Sequence, residues 1–149
     1  MDKLRVCLYL DDTRTATTPL PNSHPWEVVR NYSEFVSWID KNGLPDFISF
    51  DHDLGKEHMD DYFRQILEKG YQHPDYDSYV EKTGLDCARY VVDYCQKHNV
   101  PFPSCSVHSH NPVGAMNIHD FINGFKRFTD QPEDCYLGRH PFEVVVEKN

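Results

Sequence analysis

The 149-residue chain contains no C-x-x-C pair, no dense basic patch, no low-complexity tract and no apolar run long enough to cross a membrane. Each absence removes a class of function. Without paired cysteines a structural zinc site is not expected, and the five cysteines (Cys7, Cys87, Cys95, Cys105, Cys135) are scattered and odd in number. Three of them fall in segments that read as buried, the pattern of reduced core thiols in a cytosolic protein. A formal net charge of −9 leaves no basic surface to displace counterions from a duplex, so extended DNA binding is not expected and any phosphate must be held locally. The first apolar segment, Val6 to Leu10, stops at two aspartates, so neither a leader peptide nor membrane contact is expected and the chain reads as cytoplasmic.

What is present is a globular composition, 39% apolar, of the size of one domain, so one site cluster is expected over residues 1–149. Leu4 to Leu10 reads as a strand buried on both faces and ends in Asp11-Asp12. Trp26 to Arg30 is a shorter strand. Tyr32 opens a helix that presents Phe35, Val36, Trp38 and Ile39 on one side and stops at Asn42-Gly43. Asp46 to Phe50 is a third strand, followed by Asp51-His52-Asp53. A polar, aromatic excursion covers about 56–82, with a helical piece around 60–69, and its length suits a lid or binding loop. His73, Tyr76 and Tyr79 within it suit either base stacking or a lid contact.

Thr83 and Asp86 form a capping pair for a helix whose inner face carries Leu85, Ala88, Val91, Val92 and Cys95. Phe102 to Val107 is a strand ending in His108-Ser109. Asn111-Pro112 starts a helix that turns Met116, Phe121, Ile122 and Phe125 to the core. Phe142 to Val146 reads as the last strand. Alternating strands and helices define an α/β domain with a mainly parallel sheet, whose ligands gather at the carboxyl ends of the strands.

Three of those ends are polar clusters. Asp11, Asp12 and Asp51, with Asp53 beside them, repel one another unless protonated or shared by a cation, which suits Mg²⁺. His52 and His108 suit acid and base roles, or would ligate Zn²⁺ or Mn²⁺, and His110 is an alternative to His108. Arg14 is either a phosphate fork or an ion-pair partner of the same aspartates. Ser109, Asn111 and the helix start behind them form a candidate anion site, where Gly114 permits close approach of a ligand or of another backbone, or serves packing alone. Alternation turns Asp51 and Asp53 one way and His52 the other, so His52 joins the site only where the strand has ended.

Asp11-Asp12-x-Arg14, Asp51-His52-Asp53-Leu54, Thr83-Gly84-x-Asp86 and His108-Ser109-x-Asn111-Pro112-x-Gly114 together resemble the cyclic-phosphate processing receiver domains, an offshoot of the response-regulator receiver fold. The resemblance runs from Asp11 to about Asn117. It implies a flavodoxin-like, receiver-like three-layer domain with a five-stranded sheet of order 2-1-3-4-5. It also implies processing of a cyclic phosphate on a small nucleotide or an RNA terminus. Asp11 and Asp12 match the metal-binding acidic pair of a receiver, and Asp51 its phosphoacceptor. The departures are the 56–82 excursion, the lack of a helix after the last strand, and a strand-end lysine matched only by Lys148.

The expected activity is therefore a phosphoesterase assisted by Mg²⁺ or Mn²⁺. Asp11, Asp12 and Asp51 would hold the ion, and His52 and His108 would carry protons. Arg14, Ser109, Asn111 and Gly114 would surround the phosphate. The alternatives are a signalling module phosphorylated on Asp51 and a protein that sequesters a cyclic nucleotide.

Overall fold

A computed structural model describes residues 6–17, 26–54, 82–138 and 144–146, with 15–17 and 144–146 as backbone only. In chain order the elements are β1 (Cys7–Leu10), β2 (Thr15–Thr17), β3 (Trp26–Val29), α1 (Tyr32–Asn42), β4 (Phe47–Phe50), α2 (Gly84–His98), β5 (Ser104–Val107), α3 (Pro112–Phe128), β6 (Tyr136–Leu137) and β7 (Val144–Val146). The lid expected at 56–82, except for Lys82, lies outside the described residues. So do His73, Tyr76, Tyr79 and Lys148.

Every residue of β1 and β4 is buried, as central parallel strands require. The main sheet is all-parallel in the order β3-β1-β4-β5-β6, which is 2-1-3-4-5 when its own strands are counted. Its fifth member is Tyr136–Leu137, not the Phe142 to Val146 segment read from the sequence. Val144–Val146 instead pairs antiparallel with Thr15–Thr17 in a separate two-stranded sheet. A run of valines satisfies either partner, so composition did not distinguish them.

The connections β3-α1-β4, β4-α2-β5 and β5-α3-β6 all step in the same direction across the sheet. Right-handed crossovers that step one way place their helices on one face. Accordingly Leu8, Leu10, Ile48, Phe50, Cys105 and Val107, at alternate strand positions, share one core cluster with Phe35 and Ile39 of α1, Val91 of α2 and Ile118 and Ile122 of α3. The other strand positions, including Tyr9, Ser49 and Ser106, face the opposite side.

Local signals set the helix ends. Asn31 caps α1 by accepting the Glu34 amide, and Asn111 caps α3 by accepting the Gly114 amide. Asp86 closes the start of α2 by accepting the Thr83 amide at 2.9 Å. The expected inner face of α2 is observed at Ala88, Val91, Val92 and Cys95, with Cys87 added and Leu85 half-buried against the core. In α3 Met116 is exposed instead of buried, because the inward stripe runs through Ala115, Ile118, Ile122, Asn123 and Lys126. All five cysteines are free thiols and buried.

Candidate functional site

Asp11, Asp51 and His108 are the first residues beyond β1, β4 and β5. Their backbone amides still donate across the sheet, Asp11 to Val29, Asp51 to Leu10 and His108 to Phe50, at 2.9–3.1 Å. Tyr9 pairs with Ser49, and Phe50 with Val107. Carrying that register past the strand ends aligns the three residues in a row across three neighbouring strands. One ligand atom from each lies within 4.8 Å of the others, and all three residues are buried. The sequence reading thus named three residues that the register brings together.

Arg14 is buried beside this row. Its Nε donates to Asp11 Oδ2 at 2.7 Å and its Nη2 stands 3.8 Å from Asp51 Oδ2. Its Nη1 donates to His110 Nε2 at 3.0 Å. Arg30 Nη1 donates to the carbonyls of Asp11 and Arg14, which holds the loop after β1 in place. Of the two roles read for Arg14, this structure shows the ion pair.

Asp11 is saturated. Oδ1 accepts the amides of Thr13 and Arg14, and Oδ2 accepts from Arg14 Nε and from His108 Nε2 at 3.0 Å. An ionised carboxylate only accepts, so His108 carries its proton on Nε2. Ser49 Oγ stands 2.6 Å from His108 Nδ1 and itself accepts from Ser106 Oγ at 3.0 Å. Tyr9 stacks on the imidazole with centroids 4.4 Å apart. Burial pushes the Asp11 carboxyl up, but the bond from His108, the two amides and the Arg14 charge outweigh it and hold the group well below the usual range. The side chain of His108 is 0% exposed and both its nitrogens are engaged, so it holds Asp11 and does not open onto solvent.

Asp51 has the opposite balance. Burial, then repulsion from Asp11, raises its carboxyl to about 6 against the attraction of His108 and Arg14. Asp12 is raised also, by burial and then by Asp11.

His52 leaves the row, as alternation requires. Its ring packs on the helix side of the sheet against Gly114, and Nδ1 lies 2.8 Å from Asp53 Oδ1. Asn111 Nδ2 reaches both oxygens of Asp53 at 3.5 Å. Asp53 is 60% exposed, and its charge adds to those acting on Asp12. The start of α3 is mostly self-satisfied. Pro112 has no N–H, the Gly114 and Ala115 amides go to Asn111, and Ser109 Oγ accepts the Asn111 amide. An anion would meet chiefly the helix dipole there. Of the readings of Gly114, the structure shows the packing one, with the His52 ring seated against it.

Sequence reasoning missed Ser49, Ser106, Tyr9 and Arg30. A signal for the first two existed: each is a small polar residue two positions before a site residue, on the same face of a buried strand.

An all-parallel sheet of this order, with acidic groups at the carboxyl ends of its central strands, defines a receiver-like α/β domain. More narrowly, residues 6–124 match the cyclic-phosphate processing receiver domain, and the chain belongs to that family. No curated protein and no solved structure matched the chain at a significant level. Among the described residues no helix is long and apolar enough to cross a membrane.

Proposed function

We propose that the chain is a phosphoesterase that opens a cyclic phosphate on a small nucleotide or an RNA end, with a hard divalent cation, Mg²⁺ or Mn²⁺, in the strand-end crevice. The observation that carries this reading is the buried row Asp11, Asp51 and His108 in a family linked to cyclic-phosphate processing. The donor set fits such an ion. Asp12 and Asp51 are both destabilised as anions by burial and by Asp11, a condition a cation relieves. Asp51 would hold it beside Asp11, while Asp12, outside the buried row, and Asp53 would reach it from the rim. His108 is committed to Asp11 and Ser49, which favours an oxygen-loving ion over Zn²⁺. When bound, the ion would polarise the phosphoryl oxygen and lower the pKa of a water.

The chain's own residues do the rest. His108 keeps Asp11 ionised and still. Arg14 spans Asp11 and Asp51, and its Nη1 exchanges the His110 acceptor for a phosphate oxygen. His52, oriented by Asp53, is the proton carrier at the rim. Ser109 and Asn111 shape the wall beside it.

The test is turnover of 2′,3′- and 3′,5′-cyclic nucleotides with Mg²⁺, Mn²⁺ or chelator, comparing wild type with Asp51→Asn. Ring opening should need the metal and vanish in the variant. No turnover of any cyclic substrate with either ion overturns the reading. A base-labile mass adduct on Asp51 after incubation with acetyl phosphate would then mark a phosphoacceptor module.

A further inference from the structure

Two glycines at the starts of two helices grip the Asp51-His52 segment from the helix side. A Cβ on Gly84 would stand 1.7 Å from the Asp51 carbonyl oxygen and 3.1 Å from His52 Cα. The Gly84 amide donates to the His52 carbonyl at 2.8 Å, which ties α2 to the same peptide. A Cβ on Gly114 would stand 2.4 Å from His52 Cγ and 2.7 Å from Cδ2 and Nδ1. Both glycines lack a left-handed φ, so the need is for space, not for backbone freedom.

We infer that Gly114 is a positioning residue that seats the His52 imidazole with Nδ1–H toward Asp53, and that Gly84 fixes the backbone from which Asp51 and His52 diverge. The two contacts differ in kind. Gly84 meets a carbonyl that the fold holds, so no substitution there is absorbed locally. Gly114 meets the ring of a side chain 17% exposed, which can turn about its own χ1 without moving the backbone. An alanine at 114 therefore unseats His52 and leaves the Asp11, Asp51 and His108 row on the other side of the sheet intact. Asn111 contributes twice to the seat, capping α3 at Gly114 and reaching Asp53. The catalytic meaning of the seat rests on the phosphoesterase reading; the seat itself does not.

The experiment combines Gly114→Ala with His52→Ala. In ¹⁵N-resolved imidazole spectra the resonances lost in His52→Ala identify His52, which should show the Nδ1–H form in wild type. In Gly114→Ala that signature should give way to the mixture of a solvent-exposed ring. Thermal midpoints should show Gly114→Ala lowering stability in the wild-type background. In the His52→Ala background, where the three closest atoms are gone, the same change should be neutral or raise the midpoint, because alanine is the better helix residue. On a cyclic substrate, Gly114→Ala should lower kcat about 10²-fold with KM little changed, and add nothing to His52→Ala. An unchanged His52 signature, or equal stability changes in both backgrounds, overturns the seat. A changed signature with full activity overturns its catalytic part. If wild type turns over no substrate while signature and midpoints behave as described, the seat stands and the phosphoesterase reading falls.

Discussion

Replacing Asp51 by asparagine should stabilise the metal-free protein at neutral pH while removing its response to metal. The carboxyl is raised from 3.8 to about 6, first by burial and then by Asp11, so ionising it costs more in the folded chain than in the unfolded one. At ~1.4 kcal/mol per pH unit this rise is worth about 3 kcal/mol. Below pH 3.8 both states hold the proton and the group is silent. Between 3.8 and about 6 the folded state binds a proton that the unfolded state has lost, so stability falls as pH rises. Above that the full cost is present. Asp11, with its lowered carboxyl, acts in the opposite sense and loses its contribution as pH falls, but it is common to both proteins and cancels in the comparison.

Urea unfolding in the presence of a chelator should therefore find Asp51→Asn more stable by about 3 kcal/mol at pH 8, by roughly half that at pH 5, and by about a fifth of it at pH 4. For a domain of this size the pH 8 difference corresponds to a rise of roughly 6–12 °C in Tm. Adding Mg²⁺ should raise the wild type toward or past the variant and leave the variant unmoved. An asparagine variant no more stable than wild type at pH 8, or an advantage that persists undiminished to pH 4, would refute the burial-and-repulsion account of Asp51.

Three further outcomes follow from other parts of the molecule. His108→Ala should lower stability by about 3 kcal/mol in urea titrations, because it leaves Asp11 and Ser49 short of partners and opens a void against Tyr9. Lys126 is buried and donates to the Phe102 and Pro103 carbonyls while pairing with Asp134; Lys126→Met should cost about 1–3 kcal/mol by the same assay and leave the metal response intact. The cysteines should resist an aromatic disulfide reagent at pH 8 until denaturant is added, when five thiols react. Burial raises Cys95 to about 11 and Cys105 well above its ordinary value, so neither supplies thiolate in the folded chain.

The parts of this fold legible from sequence were those governed by local physics. A continuous apolar run marked β1, and short runs interrupted only by small serines marked β4 and β5. The Asn111-Pro112 and Thr83-Asp86 pairs marked two helix starts, and strand-end acids marked the crevice. Pairing was not legible, since it depends on partners far along the chain. The two-residue β6 carries no periodicity at all, and Val144–Val146 reads the same whichever strand it joins. Burial within the site was equally hidden. Nothing local to His108 tells that Ser49, Tyr9 and Asp11 enclose it, and the same pattern would have served a solvent-facing acid.

His52 shows how a local rule and a global one combine. Period-two alternation already separates it from Asp51, yet the consequence depends on which face the helices cover. That follows only from the sheet order, because crossovers stepping one way across β3, β4, β5 and β6 put α1, α2 and α3 on a single side. Asp51 then turns to the face where Arg14 and His108 meet it, and His52 turns into the helix starts between Gly84 and Gly114. A phosphate that touches both Arg14 and His52 must therefore lie across the edge of the sheet, over the Asp51-His52 peptide, rather than to one side of it. If the chain is the phosphoesterase proposed above, a change at Gly114, which acts on the helix-side partner, should separate proton transfer from phosphate binding in a way that no change to the carboxylate row does.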